Sequence, residues 1–114
     1  MRLTSKFWVD AYLRKLAVEG NYACVVKSGA ESAGAIFVVL NHMDGRFSLY
    51  GPAPQACFSG EETGERLFHN LVFGQPEELV LEKLDSEKKF DPDLWIVENE
   101  DRQGRSFLNI IKED

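Results

Sequence analysis

Six consecutive apolar residues, Ala35 to Leu40 (AIFVVL), constrain this chain more than any other stretch. A run of that length is too short for a membrane span. It is also too continuous for a half-exposed strand, whose side chains alternate between water and core. It reads as a strand covered on both faces, and therefore as the inside of a sheet. Asp44-Gly45 follows, a strong turn signal, so Arg46 to Tyr50 (RFSLY) is expected to pair back antiparallel. There Phe47 and Leu49 alternate with Arg46, Ser48 and Tyr50, which predicts a half-buried strand further from the centre. The corner Gly51-Pro52-Ala53-Pro54-Gln55 is expected to end the sheet, since proline cannot donate to a ladder.

The flanking segments supply what covers that sheet. Trp8, Val9, Tyr12, Leu13 and Leu16 fall at helical spacing, predicting a helix over Lys6–Glu19 with Thr4 or Ser5 as its N-cap and Gly20 as its stop. Arg14-Lys15 reads as a solvated helix face before it reads as an anion site. Tyr22 to Ser28 is strand-like, and Ser28 to Gly34 (SGAESAG) is expected to close a hairpin onto the apolar run. Residues 56–64 read as a surface loop. Arg66 to Phe73 is helix-strand ambiguous, with a short strand preferred and Gly74 as its break. Pro76-Glu77-Glu78 opens a second helix, acids at its positive end, which Pro92 forces to stop near Phe90. Leu94 to Glu100 then reads as a strand, Asp101 to Gly104 as a turn, and Arg105 to Ile111 as the returning partner. At 114 residues this is one α+β domain, 1–114, with a mostly antiparallel five- or six-stranded sheet covered by two helices.

Most chemistries lack their residues. His42 and His69 are the only histidines, neither with a second ligand at metal spacing, and His42 is expected in an exposed turn. There is no GxSxG elbow, no phosphate loop, no CxxC and no cofactor motif, so catalytic, metal and cofactor assignments are all none. Cys24 reads as a packed strand residue. Cys57 sits in the predicted loop, where only a pairing with His69 would activate it. Two cysteines without a framework, no secretory leader and no apolar span point to the reducing cytoplasm.

Charge is lopsided. Residues 1–27 carry five Lys/Arg against two acids, and 61–114 carry seven against fifteen, for a net −6. That makes nucleic acid an unlikely partner, the basic first helix being its only foothold. Paired carboxylates are the main chemical option: Asp91 and Asp93 flank Pro92, and Glu98, Glu100 and Asp101 close the next strand. Acids two apart in a strand share a face, and a shared site would raise one pKa. The simpler and preferred reading gives Asp91 the backbone amides of an Asp-Pro-Asp turn and leaves the later acids in a solvated hairpin.

The segments FWVDAYLRK (Phe7 to Lys15), GAESAGAIFV (Gly29 to Val38), SLYGPAPQ (Ser48 to Gln55) and FDPDLWIVENEDRQGRSFL (Phe90 to Leu108) resemble the bacterial family named domain of unknown function 1491. The resemblance spans nearly the whole chain. It implies a small single-domain protein with no established activity, so no catalytic residue carries over.

Two functions are weighed. The favoured one is a non-catalytic binding or scaffold domain of the bacterial cytoplasm. Its partner would be another protein or a second copy of the chain, not a membrane, with Trp8, Tyr12, Tyr50, Phe58 and Trp95 as candidate patch residues. A dimer would pair through the edge of Phe107 to Ile111. The alternative is a small enzyme or ligand-binding protein whose site lies between the Tyr50–Gln55 and Asp91–Asp93 corners, with Arg102 or Arg14 adding positive charge.

Overall fold

The computed structural model describes residues 3–54 and 66–111. Its elements are α1 (Ser5–Val18), β1 (Tyr22–Lys27), β2 (Ile36–Asn41), β3 (Phe47–Pro52), β4 (Leu67–Gln75), α2 (Glu77–Phe90), β5 (Trp95–Glu100) and β6 (Asn109–Ile110). They form one six-stranded sheet in the order β1-β5-β2-β3-β4-β6. The α+β class and the two helices stand as expected.

β2 is the interior strand that its composition demands, buried from Ile36 to Leu40. Ile36, Val38 and Leu40 face one side, where α1 packs Val9, Tyr12 and Leu16 against them together with Tyr50, Phe68, Trp95 and Val97. Phe37 and Val39 face the other, where α2 adds Val80 and Leu84 to Leu49, Leu94 and Ile96. Each such side chain stabilises the fold by roughly 1.5–3 kcal/mol relative to exposure. Two helices thus sandwich the sheet, one on each face.

Both helices have clear local causes. Thr4 caps α1, its hydroxyl accepting from the Phe7 amide at 3.2 Å, and Gly20 ends the helix at φ 80°. The Ser5 hydroxyl, fully buried, donates to the Gly34 carbonyl and ties the helix start to the β1–β2 connector. α2 follows Pro76 with Glu77 and Glu78 in its first turn and Lys88 and Lys89 in its last, each suited to the dipole.

Several expectations are overturned. β1 and β2 do not form a hairpin, because β5 lies between them, antiparallel to β1 and parallel to β2 from Ile36↔Trp95 to Asn41↔Glu100. The connector glycines are not there for positive φ. A Cβ at Gly29 would run into the backbone of Asp93 and Leu94 as the chain enters β5, and one at Gly34 into that of Asp93 and Ala30. Ala30 binds that chain from both sides, its amide donating to the Asp93 carbonyl at 2.8 Å and its carbonyl accepting from Trp95 Nε1 at 2.8 Å.

Second, the segment after β5 does not return alongside it. With β1 and β2 holding both edges of β5, no place remains there. Residues 101–108 instead cross the α1 face, and β6 pairs parallel to β4 at Leu67↔Asn109. The strap is held by Tyr12 Oη donating to the Ser106 carbonyl at 2.7 Å, Lys15 Nζ to the Phe107 carbonyl at 3.3 Å, and Asn99 Nδ2 to the Arg105 carbonyl at 3.0 Å. The sheet is therefore mixed, with parallel pairs at β2–β5 and β4–β6.

Third, β3 is not half-buried. Ser48, Leu49 and Tyr50 are all buried, since both faces are covered here, and Pro52 still sits in register with Phe68. Arg66 to Phe73 is a strand as preferred, but Gly74 does not break it. At φ 62° it forms a bulge whose amide donates to Ser48 Oγ at 3.0 Å.

Candidate binding surface

The residues singled out from sequence do not share a cleft. Tyr50 is in the α1-side core, where burial pushes its phenol up, not at a surface. Gln55 lies outside the described residues, as do Cys57 and Phe58. Asp91 Oδ1 accepts the Asp93 amide at 3.0 Å, the local turn that the simpler reading assigned to it. Asp93 is exposed. Arg102 is exposed at the opposite end of β5. The two corners do share one end of the sheet, but β2 stands between β3 and β5, a separation of roughly 10 Å. None of the clefts described below is lined by Tyr50, Asp91, Asp93 or Arg102.

Nor are the expected aromatics a surface patch. Tyr12, Tyr50 and Trp95 are core residues, and Trp8 is half-buried, stacked on Tyr12 with ring centroids 4.9 Å apart. Burial pushes the Tyr12 phenol up as well. His42, expected in an exposed turn, is only 5% exposed. Its Nε2 is 2.8 Å from Ser48 Oγ, and Phe73 meets its ring edge-on. Sequence gave no hint of this pair, because the strap that covers it comes from residues 101–108. Ser48 is fully buried and already accepts from Gly74, so the couple serves packing and offers no nucleophile to a substrate.

Asp101 is the strap's hinge post. Its carboxylate accepts from the Arg105 amide at 2.7 Å and from Arg105 Nε at 2.8 Å, with Nη2 at 3.2 Å. That guanidinium holds the Asp101 carboxyl down to about 2. Arg105 also lies over the Phe107 ring at 5.1 Å.

The accessible chemistry lies on the other face. α1 and the strap share one face, but α2 is the only element, among the described residues, on the second. It sits over β3 and β4 and reaches β2 and β5 through Val80 and Leu84. α2 buries Ile96 but leaves the strip formed by β1 and the Glu98–Glu100 end of β5 less covered. On it Tyr22, Cys24 and Val26 alternate with the inward Ala23 and Val25, beside Ile96, Glu98 and Glu100. Val26 is 58% exposed and Leu81, on the adjoining flank of α2, is 51% exposed.

Between that flank and the strip lies a cleft of about 120 Å³. Val39, Val80, Leu84 and Ile96 line it from the core, Val26 and Leu81 from the exposed side, and Glu77, Asp85, Lys88 and Glu98 carry its charge. Lys88 is committed to Asp85 at 3.5 Å. Among the described residues no basic side chain pairs with Glu77, Glu98 or Glu100. The Glu98 carboxyl is accordingly pushed up, first by burial and then by Glu100 and Glu77, against a bond from Asn41. Glu98 and Glu100 thus share a face, as two-residue spacing in a strand requires, and Glu98 is partly buried where the simpler reading expected a solvated hairpin.

On the far flank of α2 a wider cleft of about 570 Å³ runs between the helix and β4, with Leu71, Phe73 and Leu79 in its walls. Its charged residues are Glu82 and Lys83, and Lys83 pairs with Glu87 at 3.5 Å. Among the described residues no cluster of three His, Cys, Asp or Glu has metal-site geometry. No helix there is long and apolar enough to cross a membrane.

Residues 3–109 match the family described as "Protein of unknown function (DUF1491)". The chain is 40% identical to protein Atu0922 from A. tumefaciens, whose solution structure superposes with a TM-score of 0.84 over 100% of this chain and 98% of that one. It is 30% identical to a DUF1491 family protein from Caulobacter crescentus CB15. The crystal structure of that protein gives a TM-score of 0.79, covering 98% of this chain and 100% of that one. Its NMR structure gives 0.77 over 98% and 99%. No curated protein matches the chain.

Proposed function

The chain belongs to the DUF1491 family, and from that premise, which brings no activity with it, we propose that it is a non-catalytic protein-binding domain of the bacterial cytoplasm. One observation carries the reading. The second face of the sheet is half covered, and its open strip exposes apolar side chains in a contiguous row with those of α2, from Tyr22 and Val26 to Leu81. An apolar strip rimmed by polar groups is the usual form of an interaction site. The cleft within it is too small for a free ligand. Small-molecule pockets run to roughly 300–1,000 Å³, whereas about 120 Å³ suits a single anchoring side chain. A cavity of ~150 Å³ admits one benzene.

Six residues of β1 beside six of β5 span on the order of 20 Å by 10 Å, an outer bound because α2 already buries Ile96. Even with the α2 flank added, this is below the ~800 Å² per partner of a standard interface, so the contact is of the transient kind. The alternative of a ligand or catalytic site between the Tyr50 and Asp91 corners gains nothing from a Tyr50 that is packed in the core.

Photo-crosslinking in the source bacterium tests the reading. A photoreactive amino acid at Leu81 or Val26 should give the same discrete, identifiable protein adduct. One at Val18, exposed on α1, should not. Equal labelling at all three positions, or no adduct at Leu81 and Val26, overturns it.

A further inference from the structure

Resting on the protein-binding reading above, the structure also specifies the partner's chemistry. We propose that the open strip beside α2 seats a helix of a partner protein, one that carries an aliphatic stripe flanked by lysine or arginine. Three features of the strip select that occupant.

The first is coverage. α2 covers Ile96 but not β1, so a helix laid beside α2 would rest on the exposed side chains of β1 and on the Glu98–Glu100 end of β5 and complete the half-built layer. The second is the cleft at the seam, where Val26, Leu81 and Ile96 wall a space for one aliphatic side chain. The third is charge. Glu77, Glu98 and Glu100 border the strip with no basic partner among the described residues, and the one cation lining the cleft, Lys88, is paired with Asp85. Glu98 is held partly out of water beside like charges, so an incoming cation relieves a strain the free protein bears.

The other occupants fit worse. A second copy docking this strip on itself by a two-fold axis would bring one acidic border to another with no added cation among the described residues. An extended segment adding to the edge of β1 meets a register shift between Val25 and Lys27. Lys27 itself is tied inward to the carbonyls of Ser28, Pro92 and Leu94. Nucleic acid would bring phosphates to carboxylates.

The test uses the full chain, isotope-labelled for NMR, and two synthetic helical peptides of about sixteen residues with the same leucine stripe. One has lysine flanks, the other glutamate flanks. The lysine peptide should shift the amides of Val26, Leu81, Ile96 and Glu98. It should bind at least about tenfold tighter than the glutamate peptide, and weaken as salt rises. The double variant Glu77→Gln, Glu98→Gln should weaken it about fivefold, the order expected for two partly exposed ion pairs. Equal binding of both peptides, shifts mapping elsewhere, or an unchanged affinity in the double variant overturns the proposal. An adduct at Leu81 combined with no lysine-peptide binding sinks the partner chemistry and leaves the surface standing. Absence of the adduct sinks the surface itself.

Discussion

Replacing Asp101 by asparagine isolates the device that turns the chain from β5 onto the α1 face. The carboxylate is 7% exposed and takes three donors from Arg105, whose side chain is 46% exposed. Arg105 holds its pKa at about 2, against about 3.9 for a free aspartate. At 1.36 kcal/mol per unit that difference has a ceiling of roughly 2.5 kcal/mol, and screening at the half-exposed guanidinium cuts it to about 1–1.5 kcal/mol. The sign follows from the depressed value. The stabilisation is complete above the unfolded pKa near ~4, about half gone by pH ~3, and lost as pH falls through about 2. Urea unfolding of wild type and D101N should therefore differ by about 1–1.5 kcal/mol at pH 7, with equal m-values, and converge as pH falls below ~4. A gap that stays constant from pH 7 to 3, or no gap at pH 7, would refute the assignment of this carboxylate as the charged anchor of the strap.

Three further outcomes are expected. Gly29→Ala, whose Cβ collides with the backbone of Asp93 and Leu94, should cost ~3 kcal/mol or more, read as a fall in the urea midpoint. Ser48→Ala strips the buried partner from the Gly74 amide and from His42. It should cost about 1–3 kcal/mol, with the His42 ring losing its fixed environment by NMR. Glu98→Gln should raise the midpoint at pH 7, because a carboxyl whose pKa is raised by folding destabilises its charged state. That gain should shrink as pH drops through the ordinary carboxylate range and the wild-type group protonates.

What could be read from residues alone was whatever short-range physics decides. The continuous apolar run fixed β2 as interior, Asp44-Gly45 fixed its hairpin with β3, and Pro76 and Pro92 bracketed α2. Pairings between distant segments were out of reach. Nothing local distinguishes a glycine needed for a turn from one needed because another strand passes close by, and Gly29 and Gly34 were the second kind. The same blindness hid His42 and Ser48. A histidine in a turn is exposed unless something crosses over it, and here a strap formed some sixty residues later does. For the candidate surface, the spacing of Glu98 and Glu100 was legible, whereas the exposure of β1 beside them was not. Its exposure depends on where α2 stops across the sheet, a property of layer geometry and not of either strand's sequence.

The insertion of β5 between β1 and β2 sets an order of events during synthesis. Among the described residues β1 pairs only with β5, and the apolar strand β2 lacks one of its two neighbours until residues 95–100 exist. At roughly 5–20 residues per second, several seconds separate the emergence of β2 from that of β5. Throughout that interval the β2–β3 hairpin presents a bare hydrophobic edge and β1 has no partner. The central strand of the finished protein is thus its most aggregation-exposed element while the chain is being made. A ribosome stalled short of Trp95 would release a product that chaperones or proteases must handle.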